Sequence, residues 1–568
     1  MRLFNVLFIC SFAYSFFSQE IKKNDLSKER RTYWDFTNKI LQSKGRYFKD
    51  EFGETNEKHG KWYYYNRYGD IEEVRNYYRD MLFGSVILYY SNGKIRQQGY
   101  FKYNIQDSIY REWYETGYLK VEGEYSKDKP IKKWRYYYSD GRIKSVEEIK
   151  QDKSYLWEFY LPDSASTQTI INGEGELVTF YTTGQVKEWY NYSAGLKNGD
   201  FEEFSPYGYH TLKGSFYSGL KNGSWEYFYY TGDKEKVTHY QNDVLEGEYL
   251  YFYDNGKINV EGQFINGQKE GNWIWYTNKG GKDMEGEFIN GLQHGDWSYW
   301  HPTGEISYHG NYFDGFKTGE WIYYYQNGEK FKQGLFEKNI KEGKWNTWYE
   351  DGTTLMEGYY LNGKEDGVWK NYWKSGVLKN RANFHYGKLQ GDWSSYYPNG
   401  RLKLKGQYER EMKIGEWLEY FENGKLKDLM HYKIFKKKSK LEHGLIKKRS
   451  FVDSKLHGHS ISYSSEDFKI SEEGEYKEGK KDGKWTAYYS GGKPYIISHY
   501  KLGKLHGLMQ KFSRRGKMIS EINYKEGVKN GKFILFNENG EVIKQYNFKN
   551  GIKLDVDGLN DGHFSPIR

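Results

Sequence analysis

The sequence predicts an all-β protein: an elongated, single-layer repeat solenoid of about twenty 24-residue β-hairpins forming one long twisted antiparallel sheet. Three observations predict it. Glycines recur every 24 residues from Gly175 through Gly199 and Gly223 to Gly415 without a break, and the same spacing separates Gly60 from Gly84 and runs through Gly483, Gly507 and Gly531. With each of these as position 1, and Ser108 and Lys132 standing in for glycine, position 6 is aromatic and position 10 is glycine in all eighteen clear units. Composition agrees, because aromatic residues make up 20% of the chain and proline numbers only 7. A core of this kind draws its apolar area from Tyr, Trp and Phe, and a disordered chain is poor in aromatics. A fixed period of this length is the mark of a repeat architecture.

Taken in chain order, Met1-Arg2, the apolar run Leu3 to Phe17 and the switch at Ser18-Gln19-Glu20 read as a secretory signal over residues 1–18. It carries Cys10, the one cysteine, so packing rather than disulfides must hold the remainder together. Residues 19–59 are expected to be a cap or linker, with a short helix over Arg31 to Ser43 where Tyr33, Trp34, Phe36, Ile40 and Leu41 are spaced as on a helix face. Regular repeats fill 60–141, 175–432 and 483–554. The phase slips over 142–174, read as a degenerate repeat, and over 433–482, read as an irregular basic insertion with degenerate repeats. Residues 555–568 form a short polar tail.

Within one unit, the run Gly319-Glu320-Trp321-Ile322-Tyr323-Tyr324 favours an extended strand, and Asn327-Gly328 signals a tight turn with positive φ angles. A second strand follows and closes in another glycine-bearing loop, such as Asn362-Gly363-Lys364-Glu365-Asp366-Gly367. Position 3 is Trp in eleven units and position 18 is aromatic in seventeen. Strand alternation places Trp321, Tyr323 and Tyr325 opposite Tyr324, so both faces carry aromatics and neither is singled out as the core.

This pattern, G-x-W-x-x-Y-Y-x-x-G followed by G-x-F-x-N-G-x-x-x-G, resembles the variant MORN repeat (membrane occupation and recognition nexus), in particular a bacterial subgroup labelled antitoxin-like. The resemblance runs from Gly60 to about Leu554. It implies successive hairpins in an extended sheet, and functions in scaffolding, self-association or membrane-lipid contact. Choline-binding and glucan-binding wall modules are also aromatic hairpin repeats, but of a shorter period.

No catalytic, cofactor or metal site is expected. His294, His457 and His506 each precede a glycine near a repeat junction, and His457-Gly458-His459 lacks companion ligands. Glu226, Glu320 and Glu416 read as a solvated face. Two features are candidates for binding. One is the position-7 stripe of Tyr229, Tyr253, Tyr325, Tyr349, Trp373, Tyr397 and Phe421, suited to stacking on sugars, headgroups or protein side chains unless it serves as packing between repeats. The other is the basic run holding Lys436, Lys437, Lys438, Lys440, Lys447, Lys448 and Arg449, a solvated loop or a contact for an anionic surface. The reading that follows is an exported, non-enzymatic protein in the periplasm, the outer envelope or outside the cell. It would act as a protein-binding or self-associating scaffold. Peripheral lipid or glycan binding is the alternative, and an antitoxin or immunity-type partner protein a further one. The net charge of +9 is small for 568 residues, and a nucleic-acid partner is not expected.

Overall fold

The structure, a computed structural model, describes residues 21–438 and 450–554; the expected signal, Cys10 and the tail lie outside that range. Among the described residues, 46 strands run antiparallel to their neighbours, and a single 3₁₀ turn at Lys23–Asp25 precedes the first of them. The all-β, single-sheet repeat expected from the sequence is what forms. The chain divides into two compact bodies, Met1–Lys269 and Glu270–Arg568. In each, strands pack against the strands that precede and follow them in sequence.

The repeat is clearest in the C-terminal body, where strands Phe316–Tyr324, Lys330–Glu337 and Ile340–Trp348 follow one another. Tyr323 faces Lys332 while Tyr324 faces Lys330, so one extra residue bulges out where the strand pair enters its loop. The Tyr325 carbonyl accepts the Gly328 N–H at 3.0 Å, and the Tyr325 N–H donates to Glu329 O at 2.8 Å. Only Gly328 has a positive φ, 85°, and Asn327 does not. The loop is therefore a turn closed by a glycine bulge, not the two-residue Asn-Gly turn expected there. Asn327 is used differently: its amide oxygen accepts the Glu329 N–H at 3.0 Å and its amide nitrogen donates to Glu350 O of the next unit at 2.9 Å.

The two-residue turn is at the other end of the hairpin. Asn362 and Gly363 take φ of 49° and 76°, and the strand Lys364–Tyr372 begins at once. The stretch Lys364 to Gly367, expected to be loop, is thus paired strand. Both turns contain Asn-Gly, and only their backbone hydrogen bonding tells them apart.

One face of the sheet is the core, and it is built from a tryptophan lying on a glycine. Position 16 of one unit pairs with position 3 of the next, as Gly310 with Trp321 and Gly334 with Trp345. A Cβ on Gly310 would sit 2.3 Å from the Trp321 ring, so no side chain fits beneath it. Trp297, Trp321 and Trp417 are fully buried. Position-18 rings stand edge-on between successive tryptophans: Tyr312 to Trp321 at 5.1 Å and 87°, Phe336 to Trp345 at 5.2 Å and 89°, Tyr360 to Trp369 at 5.0 Å and 86°. That is the favoured edge-to-face arrangement. The opposite face carries cross-strand ion pairs, with Glu357 holding Lys370 at 2.8 Å and Lys344 at 3.7 Å.

The irregular segments follow the same plan with local changes. Instead of a helix over Arg31 to Ser43, the chain forms strands Arg30–Tyr33 and Leu41–Asp50. Between them the Asp35 carboxylate accepts the N–H groups of Lys39 and Ile40 at 3.1 and 2.8 Å, a side-chain turn that stops a helix from propagating. Gly45 of this extra hairpin lies under Trp62. Over 142–174 a strand, Lys153–Tyr160, pairs with a short partner, Gln168–Ile171, and the tryptophan is replaced by a cluster of Leu156, Phe159 and Ile170. After residue 432, the strand Leu426–Lys438 overruns its usual length and pairs with Ser450–Leu456, from Tyr432 opposite Leu456 to Lys438 opposite Ser450. This arm grows out of one two-residue turn. The repeat resumes at Gly458, which pairs with Tyr476.

Candidate binding surfaces

The position-7 stripe sits in the bulged loops at one rim of the sheet. Each member is half-buried. The Tyr325 hydroxyl donates to Trp348 O at 2.9 Å, Tyr349 to Tyr372 O at 2.9 Å, Tyr397 to Tyr420 O at 2.8 Å and, in the N-terminal body, Tyr229 to Phe252 O at 2.6 Å. The Trp373 indole donates to Tyr396 O at 3.4 Å. Each polar end therefore bonds to position 6 of the next unit, while part of the ring remains open to solvent. Lys379 lies 4.5 Å above the Trp373 ring, and Phe421 packs on Phe468 at 5.8 Å. Burial, with the Tyr251 hydroxyl adding, pushes the Tyr229 phenol up to about 12, which keeps it a donor far into the alkaline range. Tyr253 is half-buried in the same series.

In the basic arm, Lys433 and Lys436 are exposed. Lys437 and Lys438 pair through their backbones with Phe451 and Ser450. Lys440, Lys447, Lys448 and Arg449 lie outside the described residues.

A third surface was not singled out from sequence. At the rim of two-residue turns, positions 19 and 22 flank each turn, and in the C-terminal body they expose Leu292, Phe313, Phe316, Ile340 and Leu361; Phe313 is 58% exposed. These five come from four successive units. Strand alternation alone hides this row, because positions 19 and 22 belong to different strands and meet only across the turn. Its signal in the sequence is the apolar pair on both sides of the turn, as in Phe313-Asp314-Gly315-Phe316.

Among the described residues, no group of three or more His, Cys, Asp or Glu side chains is placed to hold a metal ion. His294 lies tilted against Phe313 at 5.1 Å and 3.8 Å from Asp314, and His506 lies 3.5 Å from Glu526. His457 lies against Phe435 at the base of the arm. Glu226 pairs with Lys234 at 2.7 Å. An open depression of about 450 Å³ in the N-terminal body is lined by Val178, Trp189, Glu202 and Phe204. No described helix is long and apolar enough to cross a membrane.

Comparison with known proteins agrees with the repeat. No curated protein matches the chain. Solved structures that match include the TcdB2-TccC3 crystal structure without its hypervariable C-terminal region, at 10% identity, 92% of this chain, 30% of that chain and a TM-score of 0.12. Another is the Photorhabdus luminescens Tc holotoxin pore with the TccC3-D651A mutation, at 10% identity, 93% and 31% coverage and a TM-score of 0.13. The chain spans about a third of the length of those chains, and TM-scores this low carry no functional argument. Nine segments, 84–103, 245–266, 293–314, 365–386, 389–410, 413–433, 481–502, 505–526 and 529–550, match the family described as MORN repeat variant. Each covers about one strand–loop–strand hairpin of the kind seen here, and with such hairpins matched in both bodies the chain belongs to the MORN-repeat family.

Proposed function

We propose that this protein is exported and works as a non-enzymatic scaffold that binds another protein, or a second copy of itself, along the rim of two-residue turns. As a MORN-repeat chain it is a repeat scaffold or binding protein; the export and the surface used are the added reading. The observation that carries it is the row Leu292, Phe313, Phe316, Ile340 and Leu361. Large apolar side chains exposed in each of four successive units favour a protein partner. One hairpin advances the row by two strand spacings, about 9.5 Å, so a partner meets the same contact several times. The charged start and apolar run before Ser18 support export.

Light scattering coupled to size exclusion, with a pull-down from envelope extract, tests this reading. The expected result is a dimer or a retained protein, lost in the Phe313→Glu, Phe316→Glu double variant. A monomer that retains nothing, or a partner indifferent to the double variant, counts against it. N-terminal sequencing of protein recovered from the envelope or medium tests export, with a mature chain starting near Gln19 expected.

The arm favours a second reading, docking on an anionic envelope lipid or glycan, because it projects from the repeat with Lys433 and Lys436 exposed. Sedimentation with anionic vesicles and with cell-wall material across a salt series distinguishes the two: binding that weakens with salt supports the second reading, and absence of binding at every salt concentration removes it.

A further inference from the structure

Lysine stems cross the tryptophan face in many repeats, with Lys413 4.1 Å above Trp417 and Lys481 3.9 Å above Trp485. Each of those two has acidic company: Glu419 acts on Lys413, and Lys481 pairs with Glu472. In the repeats from Gly295 to Tyr360 the arrangement differs, because three lysines converge there. Lys317 Nζ lies 4.0 Å from the Trp321 ring and 5.6 Å from Phe336. Lys341 Nζ lies 4.7 Å from Trp345 and 4.6 Å from Tyr360. Lys332, on the strand between them, lies 4.3 Å from Tyr323 and 5.9 Å from the same Trp345 ring.

All three are half-buried, and among the described residues none makes an ion pair with a carboxylate. On the polar face, by contrast, Lys344 and Lys370 each pair with the Glu357 carboxylate. Partial burial lowers Lys317 and Lys332, and Lys341 and Lys317 lower Lys332 further. Contact with the rings offsets part of the lost hydration. It does nothing for the repulsion between like charges that share one ring, which an anion would relieve.

We propose that Lys317, Lys332 and Lys341 form a binding site for a phosphate-bearing anion. Ammonium groups are point charges with three donors each, suited to a tetrahedral oxyanion carrying more than one charge. A lone carboxylate would balance one of the three charges, and its planar geometry is better met by the guanidinium fork of arginine. The aromatic floor excludes water beneath the site and strengthens the attraction.

Isothermal titration of the full chain with pyrophosphate at low salt tests the proposal. Saturable binding is expected, weakened about tenfold or more in the Lys317→Gln, Lys332→Gln, Lys341→Gln triple variant. Lys370→Gln, on the polar face, should leave it unchanged. The Lys332→Met variant keeps an apolar stem over Tyr323 and Trp345, so a loss of affinity with an unchanged thermal midpoint separates anion binding from a packing role. A parallel arm uses phosphatidylcholine vesicles with and without phosphatidic acid. Triple-variant-sensitive binding of pyrophosphate alone supports the site and assigns a free phosphate compound; sensitive binding of both supports it and assigns a lipid headgroup. No binding of either probe, or binding that survives the triple variant, overturns it.

Discussion

At Gly310 the fold turns on the absence of one methyl group. The backbone there is held by pairing with Trp321, and the indole occupies the place where a Cβ would stand. Gly310→Ala should therefore destabilise the C-terminal body by about 1–3 kcal/mol through overpacking, seen as a lower denaturation midpoint and faster amide exchange over Ile306–Tyr324. The chain contains its own version of that change: Ala382 pairs with Trp393, and Trp393 is only half-buried where its counterparts are fully covered. In the N-terminal body, His59 is buried, its Nδ1 accepting the Arg79 N–H at 3.2 Å. Burial lowers its pKa, Arg79 lowers it further, and Asp25 and Glu57 act in the opposite sense. The folded state thus binds fewer protons than the unfolded one between the two pKa values. Stability should hold above the ordinary histidine range near pH 6.5 and fall as pH drops below it. Amide exchange over Gly53–Tyr65 from pH 7.5 to 5 measures this, and His59→Gln should flatten the profile. Glycine at position 16 was plain in the sequence, but its role was not, since the ring that needs it belongs to the next repeat.

Hairpins, as elements, differ in what each turn contributes. Removing the Tyr325 hydroxyl with Phe leaves the Trp348 carbonyl without that donor and should cost about 1 kcal/mol, read as faster amide exchange over Phe316–Trp348. The arm after Tyr432 is an addition to one turn, and its removal can be specified to the residue. Replacing residues 434–454 with Asn-Gly leaves Lys433, Asn, Gly, Lys455, Leu456 and His457 between Tyr432 and Gly458, the normal repeat length. The shortened protein should keep its circular dichroism and thermal midpoint, while losing whatever anionic contact the arm supplies. The element pattern was largely legible: constant spacing gave strand, loop and strand, and the slip near residue 433 marked the insertion. Two readings needed structure. Which Asn-Gly is the two-residue turn depends on hydrogen bonds that both sequences permit. The spacing of Tyr33, Trp34, Phe36, Ile40 and Leu41 fits a helix until the Asp35 side chain is seen binding the N–H groups that a helix would use.

At the scale of the whole molecule, strands within each body contact chiefly their sequence neighbours, so stability is a sum of nearest-neighbour terms. Ending the chain after Lys504 should leave amide protection over Phe316–Tyr420 unchanged by hydrogen exchange, a result a globular core would not give. Urea unfolding should broaden rather than follow one two-state transition. The surfaces were less legible than the fold. The position-7 stripe was seen but not its bonds to the next unit, and the apolar rim and the lysine cluster appeared only once hairpins were placed side by side. One further consequence comes from the tryptophan-on-glycine joint. Gly310 and Trp321 are two halves of one fitting, written in different repeats. Where position 16 is bulky its partner changes too: Arg75 meets Val86, Tyr190 meets Phe201, Thr238 meets Tyr249 and Ile522 meets Phe533. Shuffling hairpins by recombination is therefore not free. A breakpoint inside the Tyr325–Glu329 loop carries whole fittings to a new place, whereas one between Gly310 and Trp321 mates strangers, so the heritable module of this chain straddles two of its visible repeats.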